Sequence, residues 1–399
     1  MPDIRSFFGK NKPPAPSATE IKDKRTTTEI PQNETQSGDK PSEQPASKRP
    51  KIEQQESPKS DSGSPASIVC WNVNGLRPRL QSNEGQLADF LKEHRPDVLF
   101  ISEARLKAAS PNNRGIIDSS DKKAREEKSL VESALGRSTV GYHIKLSLAS
   151  KRYAGTAILW RKDGPQPLRI WYDLPASLDD IPTRHHDVEG RIILAEWAAL
   201  LTLHTYTPNN GTKEESFKRR LVWDQKLTTW LSTVAAGYSK PIIYCGDLNC
   251  AQSDADLSHP EWMKAQMPSK DPANAGQPGC TKNEQERFTK MLAEGALVDV
   301  YRTLHPEAPP RDDQGNAAKV EAPIFTWRGA PGAFPNPPES GRYFRKGMRI
   351  DHFLISEKSL PWVASAEILG RGESGADPSF LGSDHCPMEL RLKASLVGA

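Results

Sequence analysis

The sequence predicts an α/β domain made of two packed β-sheets with helices on their outer faces, preceded by a disordered tail. Three observations predict it. Short apolar runs of strand length recur from Ser67 to about Leu392, with helix-like segments between some of them. Several of these runs end in an acid or an amide. The first 66 residues, by contrast, hold almost no apolar run. Runs of this length rich in β-branched residues read as strands, and packing them in layers with the helical segments leaves one rim to collect the polar residues.

Residues 1–66 are dense in Pro, Ser, Lys, Glu, Gln and Thr, so they cannot bury enough surface to offset the entropy of ordering. Two islands interrupt them: Ile4-Arg5-Ser6-Phe7-Phe8 and the basic cluster Lys48-Arg49-Pro50-Lys51. Such a cluster in an accessible tail is expected to serve nuclear import through Lys48, Arg49 and Lys51, placing the protein in the nucleus. A catalytic domain is expected over 67–399. In it Ser67 to Trp71 reads as a strand leading to Asn72 and Asn74, Asp97 to Ile101 as one leading to Glu103, and Pro241 to Cys245 as one leading to Asp247 and Asn249. Leu194 to Trp197 and Leu200 to Thr205 point towards Tyr206, and Arg349 to Ile355 carries Asp351. Helices are expected over Gly85 to His94, Lys213 to Ala235 with a Lys/Arg-rich face, and Asn283 to Glu294.

The chain has 54 basic and 51 acidic residues, a formal net charge of only +3, so any nucleic-acid surface has to be a local patch. Five cysteines, at 70, 245, 250, 280 and 386, include no CxxC pair, which argues for a reducing compartment and against a disulfide scaffold or zinc module. No stretch approaches the roughly 18 consecutive apolar residues of a membrane span, so no membrane partner is expected.

Phosphodiester hydrolysis requires an activated water, neutralisation of charge on a pentacovalent phosphate and stabilisation of a departing oxyanion. A hard divalent cation held by carboxylate and amide oxygens meets the last two needs. Glu103, Asn74 and Asp384 are ligands of the right type, while Asp247, Asn249 and the Asp384-His385 pair can orient phosphate and water. Singly, each has an ordinary explanation: an Asp-x-Asn after a strand serves equally as a turn or a helix cap. Together they narrow the chemistry.

Trp71 to Arg77, Tyr206-Thr207-Pro208-Asn209, Gly246-Asp247-Leu248-Asn249, Arg349-Ile350-Asp351 and Gly382 to Pro387 resemble, in order, the signature blocks of the exonuclease III type of apurinic/apyrimidinic (AP) endonuclease. The resemblance covers Ser67 to Leu392. It implies the four-layer αββα sandwich of the endonuclease, exonuclease and phosphatase superfamily, with two mixed sheets. It also implies a DNA-repair enzyme that cleaves 5′ to an abasic site with Mg2+, or Mn2+ as a substitute, and 3′-phosphodiesterase and 3′-to-5′ exonuclease activity on blocked 3′ ends. By the same resemblance Asn74, Glu103 and Asp384 match metal positions, and Asp247 and Asn249 are candidates for a second ion. Asp247 matches the water-activating residue, His385 and Asp351 the phosphate-contacting pair, Tyr206 and Asn209 further phosphate positions, and Asn249 a transition-state stabiliser.

Matches to DNA-facing segments are smaller: Tyr153 in Lys151 to Gly155, Arg191 after Glu189-Gly190, Asn274 in Asn274-Ala275-Gly276, and Trp327 against the abasic sugar. Met348 departs from the pattern, standing where the mammalian-type enzymes carry a Trp that helps to enclose that sugar. Rival readings are a DNase I-like nuclease or an inositol polyphosphate phosphatase, which reuse the metal Glu and the Asp-His pair, and an inactive clamp- or DNA-binding protein. The spacing of Ile4, Phe7 and Phe8 is similar to that of peptides that dock on the replication sliding clamp (PCNA), although Met1 stands where that motif opens with Gln.

Overall fold

Strands that are apolar on both faces form the centre of each sheet, since alternate side chains point to opposite faces and each face here is covered. The computed structural model describes residues 63–81, 86–135, 141–317, 324–328, 343, 346–369 and 382–393. The tail motifs at Ile4, Phe7 and Phe8 and at Lys48, Arg49 and Lys51 lie outside the described residues. In chain order the first strands are β1 (Ser67–Asn72), β2 (Val98–Ser102), β3 (Ala108–Ser110), β4 (Asn113–Ile117), β5 (Tyr142–Ser147), β6 (Thr156–Arg161), β7 (Arg169–Trp171) and β8 (Ile192–Glu196). Then follow β9 (Leu201–Tyr206), β10 (Ile242–Asp247), β11 (Leu297–Asp299), β12 (Trp327–Arg328), β13 (Gly347–Met348), β14 (Asp351–Ser356), β15 (Val363–Ile368) and β16 (Met388–Leu392). The α-helices are α1 (Leu76–Gln81), α2 (Gln86–His94), α3 (Lys122–Ala134), α4 (Glu214–Trp230), α5 (Pro260–Lys264), α6 (Lys282–Glu294) and α7 (Val300–Leu304).

One six-stranded sheet is ordered β15-β16-β1-β2-β6-β5 and the other β11-β14-β10-β9-β8-β7. Each has one central parallel pair, β1 with β2 and β9 with β10, among antiparallel neighbours. A parallel pair delivers two C-terminal strand ends to the same edge, so each sheet sends two loops to one rim.

Residue alternation builds the layers. Ile68, Cys70, Val98 and Phe100 of the first sheet pack against Ile193, Ile243, Cys245 and Phe353 of the second in one buried cluster. The other face of the first sheet, with Val69, Trp71, Leu99, Ile101 and Leu159, meets Leu76, Leu87, Phe90, Leu91 and Val131 from α1, α2 and α3. On the second sheet, Leu194, Leu203, Tyr244 and Leu354 meet Leu227, Trp230, Phe288 and Met291 from α4 and α6. The result is the expected αββα sandwich. Each fully buried Leu, Ile or Phe contributes about 1.5–3 kcal/mol of hydrophobic free energy.

The helix expected over Lys213 to Ala235 is α-helical only to Trp230 and widens into a π-helical turn over Leu231–Ala235. Its basic face is also split: Arg220 is buried at 3% exposure, whereas Lys218 and Arg219 are exposed.

Candidate active site

The rim where the central strand ends of both sheets meet gathers most of the sequence-predicted residues. In the first sheet the ladder between β1 and β2 pairs Asn72 with Ser102 and continues into the loops, where the Val73 amide donates to Ser102 O (3.1 Å) and the Gly75 amide to Glu103 O (2.9 Å). Asn74 (φ 48°), Glu103 (φ 56°) and Arg105 (φ 50°) all have left-handed backbones there. Non-glycine residues adopt that conformation only where their surroundings enforce it, and such sites cluster at functional loops. In the second sheet Asp247 pairs in register with Tyr206 on one side and Asp351 on the other. Three of the expected residues thus stand in one row.

Asn72 ties the two sheets together. Its amide donates to Asp247 Oδ2 (2.8 Å) and to Glu103 Oε1 (3.1 Å), and the Tyr206 hydroxyl donates to the same Glu103 oxygen (2.7 Å). Arg105 pairs with the other Glu103 oxygen, its Nε donating at 2.6 Å. His385 Nδ1 donates to Asp351 Oδ2 (2.8 Å), leaving Nε2 facing Asp247 Oδ2 at 4.0 Å. Asp384 accepts from Asn74 Nδ2 (2.8 Å) on Oδ1 and from Trp327 Nε1 (3.3 Å) on Oδ2. Asn249, left-handed at φ 48°, donates its backbone amide to Asp247 Oδ1 (2.9 Å). Its side chain bonds Thr207 O and accepts from Asn209 Nδ2, each at 2.9 Å.

Burial pushes the Asp247 carboxyl up to about 7, helped by the negative Asp351 and opposed by His385 and Asn72. Burial alone would strip the proton from His385, but the charge and hydrogen bond of Asp351, with Asp247 and Asp384 behind it, raise it to about 10. At neutral pH the site therefore pairs an imidazolium with a carboxyl poised to exchange a proton, two groups whose environments set different tasks. Glu103 is held below the usual carboxylate range: burial opposes this, and Arg105, Tyr206 and Asn72 overcome it.

The donor set suits a hard divalent cation. Glu103, Asp384, Asn74 and Asp247 offer oxygen atoms, and Asp351 Oδ1 is buried with no hydrogen-bond partner among the described residues. Asp247, Asp351 and His385 alone bring three potential ligand atoms within 4.8 Å of one another. His385 is the weakest member of that trio, because a protonated ring engaged by Asp351 has no lone pair to give. The oxygen donors of the rim are the better set.

The expected DNA-facing residues are less uniform. Tyr153 is exposed, but Arg191 is buried at 1% exposure, which corrects the expectation of a cation free to meet DNA. Its guanidinium lies between the Tyr153 and Tyr206 rings, 5.2 and 4.6 Å from their centroids, and bonds Glu189, Tyr206 O and the Tyr153 hydroxyl. Arg191 is a strut under two site tyrosines. Met348 is buried as well: paired in register with the half-buried Trp327, it lies beside that indole on the same face of the two-stranded ribbon, in a cluster with Leu257, Met263 and Cys280. Asn274 is engaged by Asp271 and Asn283, and exposed Asn209 couples to Asn249.

Sequence reading gave no role to several supporting residues. Asn72 precedes the expected ligand Asn74 by two positions, and its place at the end of an apolar run was the available signal. Ser383 Oγ donates to Asn72 O (2.7 Å) and accepts the His385 amide (3.2 Å), fixing the Asp-His turn. Thr326 Oγ1 accepts the Ile350 and Asp351 amides, each at 3.0 Å. Arg349, wholly buried, bonds Asp256 and Asp299, each at 2.8 Å, and anchors the start of β14.

Comparison with known proteins identifies the family. The sequence profile described as the Endonuclease/Exonuclease/phosphatase family matches residues 69–385. An Arabidopsis thaliana protein named DNA-(apurinic or apyrimidinic site) endonuclease is 37% identical over 339 residues, covering 82% of this chain and 85% of that protein. A Bacillus subtilis exodeoxyribonuclease is 28% identical, with coverage of 81% and 98%. Among solved structures, an AP endonuclease from Leishmania major shares the fold with a TM-score of 0.57 at 21% identity, covering 82% of this chain and 88% of that one. With the αββα core, the row of Tyr206, Asp247 and Asp351 and a profile match across most of its length, this chain belongs to the endonuclease/exonuclease/phosphatase family, on its exonuclease III and AP endonuclease branch.

Proposed function

We propose that this protein is a magnesium-dependent DNA-repair endonuclease that hydrolyses the phosphodiester 5′ to an abasic site, with 3′-phosphodiesterase and 3′-to-5′ exonuclease activity at blocked 3′ ends. The observation that carries the reading is the Asp351–His385 pair facing Asp247 beside Glu103 and Asp384 on one rim. In this mechanism Asp247 accepts the proton of the attacking water while His385, held protonated by Asp351, donates from Nε2 to a phosphate oxygen. Tyr206 orients Glu103, and Asn209 with Asn249 orders the adjoining loop. Glu103, Asp384 and Asn74 would hold the cation, which would supply charge neutralisation at the phosphate and the leaving oxygen. Duplexes carrying one abasic analogue, a blocked 3′ end or no damage test the assignment. Faster cleavage of the undamaged duplex than of the abasic one would overturn it, and the relative rates rank the three activities.

Glu103→Ala is expected to raise the magnesium concentration for half-maximal cleavage by about 10- to 100-fold, since even outer-sphere partners of a metal are worth that much. Titration of Mg2+, and of Mn2+ in parallel, measures it. Full wild-type activity in EDTA would end the metal mechanism.

Our reading also assigns a tail outside the catalytic domain, ending at residue 62 instead of the expected 66, because Ser64 accepts the Ala199 amide (2.7 Å) and Ala66 the Leu392 amide (2.7 Å); in that tail Lys48, Arg49 and Lys51 direct nuclear import. Deleting the tail should leave cleavage of a short free duplex close to unchanged, because every block that carries chemistry begins at or after Trp71. A large loss of activity on naked DNA would put the boundary elsewhere. Ile4, Phe7 and Phe8 form the proposed clamp-docking plug, with an expected affinity of roughly micromolar order. Titrating a peptide of residues 1–12 onto the sliding clamp checks this, and equal binding by its Phe7→Ala, Phe8→Ala version refutes it.

A further inference from the structure

We infer that Arg220, on the buried face of α4, is a positioning residue for phosphodiester cleavage that fixes the two catalytic loops to each other. The inference rests on the functional reading above and adds a residue at 3% exposure that touches none of the reacting groups. Its Nε donates to Asp224 Oδ1 one helical turn on, at 2.8 Å. The other nitrogens turn away from the helix: Nη1 donates to Pro208 O (3.0 Å) and Asn249 O (3.2 Å), and Nη2 to Leu248 O (3.0 Å). Pro208 lies in the loop that follows Tyr206 and carries Asn209, while Leu248 and Asn249 form the turn behind Asp247.

An arginine serving only as an ion-pair partner would spend its donors on carboxylates. Here three of its bonds go to main-chain carbonyls of the loops that hold Asn209 and Asn249, the pair whose side chains meet at 2.9 Å. Asn249 has a left-handed backbone (φ 48°), which asparagine adopts more readily than other side-chain-bearing residues, and Arg220 holds the carbonyls on both sides of that residue's amide, at Leu248 and Asn249. A third loop joins the same guanidinium. Glu284 Oε1 lies 3.8 Å from Nη1, and Glu284 Oε2 accepts from the Gly279 amide (2.9 Å) and the Thr281 hydroxyl (2.7 Å). The Gly279 carbonyl accepts the Ala251 amide at 2.7 Å, just beyond the catalytic turn. Burial works against the charge, but Asp224 and Glu284 hold Arg220 firmly protonated.

Lysine keeps this charge but not the planar fork, and one ammonium cannot span three carbonyls and a carboxylate. Arg220→Lys is therefore expected to fold and yet to release both loops. In hydrogen exchange on the full chain, segments 206–211 and 247–252 should lose protection while the sheet interiors keep theirs. Turnover should fall about 10- to 100-fold with KM little changed, the cost of misplacing groups that must be aligned. Combined with Asn209→Ala, the loss should be no greater than that of the worse single variant, because both act through one coupling. Unchanged exchange in those two segments, or losses in turnover that multiply, would overturn the inference. Exchange needs no cleavage, so a wild type inactive on abasic DNA counts against the functional reading alone while exchange still judges Arg220. Should Arg220→Lys fail to fold, Asp224→Asn loosens the same guanidinium from the helix side and is read by the same two measurements.

Discussion

Asp247→Asn is expected to lower turnover on an abasic duplex by about 10³- to 10⁴-fold, towards the upper range for a positioned general base, while leaving DNA affinity and fold intact. The substitution keeps the volume of the side chain and an oxygen for the Asn249 amide, which donates to Asp247 Oδ1 in the native site. What it removes is the proton acceptor, together with the Oδ2 that accepts from Asn72 (2.8 Å). Burial and the neighbouring Asp351 raise that carboxyl to about 7, close to the pH at which a base is both ionised and basic enough to draw a proton from water. A group that acts only on charge developing in the transition state contributes to turnover and not to ground-state binding. Single-turnover cleavage, beside binding measured in chelator, separates the two. Cleavage by the variant within about tenfold of wild type would be too small an effect for a general base and would remove Asp247 from that role.

How far the site was legible in the sequence depended on whether a residue's partners lie near it in the chain. Asp247, Glu103 and Asn74 each follow an apolar run, so their arrival at a strand end could be read from the run itself. The layers were legible for the same reason: runs such as Ile68 to Trp71 are apolar on both faces, which only a doubly covered sheet accommodates. Arg191 and Arg220 were not legible. Both sit in basic or turn-like contexts that suggest a solvated or DNA-facing charge, and only the fold brings Tyr153 and Tyr206 around the first and the carbonyls of Pro208, Leu248 and Asn249 onto the second. Thr326 and Ser383 escaped because a hydroxyl that accepts or donates one bond leaves no pattern in spacing. Met348 was read as a DNA-facing position, and it sits in a buried cluster because the fold brings Leu257, Met263 and Cys280, all distant in sequence, around it.

His385→Ala should cost about 10²- to 10³-fold in turnover, the scale of removing one donor aimed at developing charge, and its pH profile should identify the reason. In the wild type kcat/KM is expected to rise as Asp247, held above the usual carboxylate range, ionises and to fall as His385, held above the usual imidazole range, loses its proton. The sign of each shift follows from charge. His385 draws the Asp247 carboxyl downward, so removing the imidazolium must move the rising limb to higher pH and abolish the falling limb. Asp351→Asn should do the opposite to the first limb, because Asp351 pushes Asp247 up and its loss lets that carboxyl ionise at lower pH. It should also move the falling limb down, since Asp351 is the main charge and hydrogen-bond support of the His385 proton. At fixed, saturating magnesium the two variants thus displace the rising limb in opposite directions. If both moved it the same way, or neither moved it, Asp247 would not be the group whose ionisation starts the reaction, and the row of Tyr206, Asp247 and Asp351 would have to bind the phosphate without activating the water.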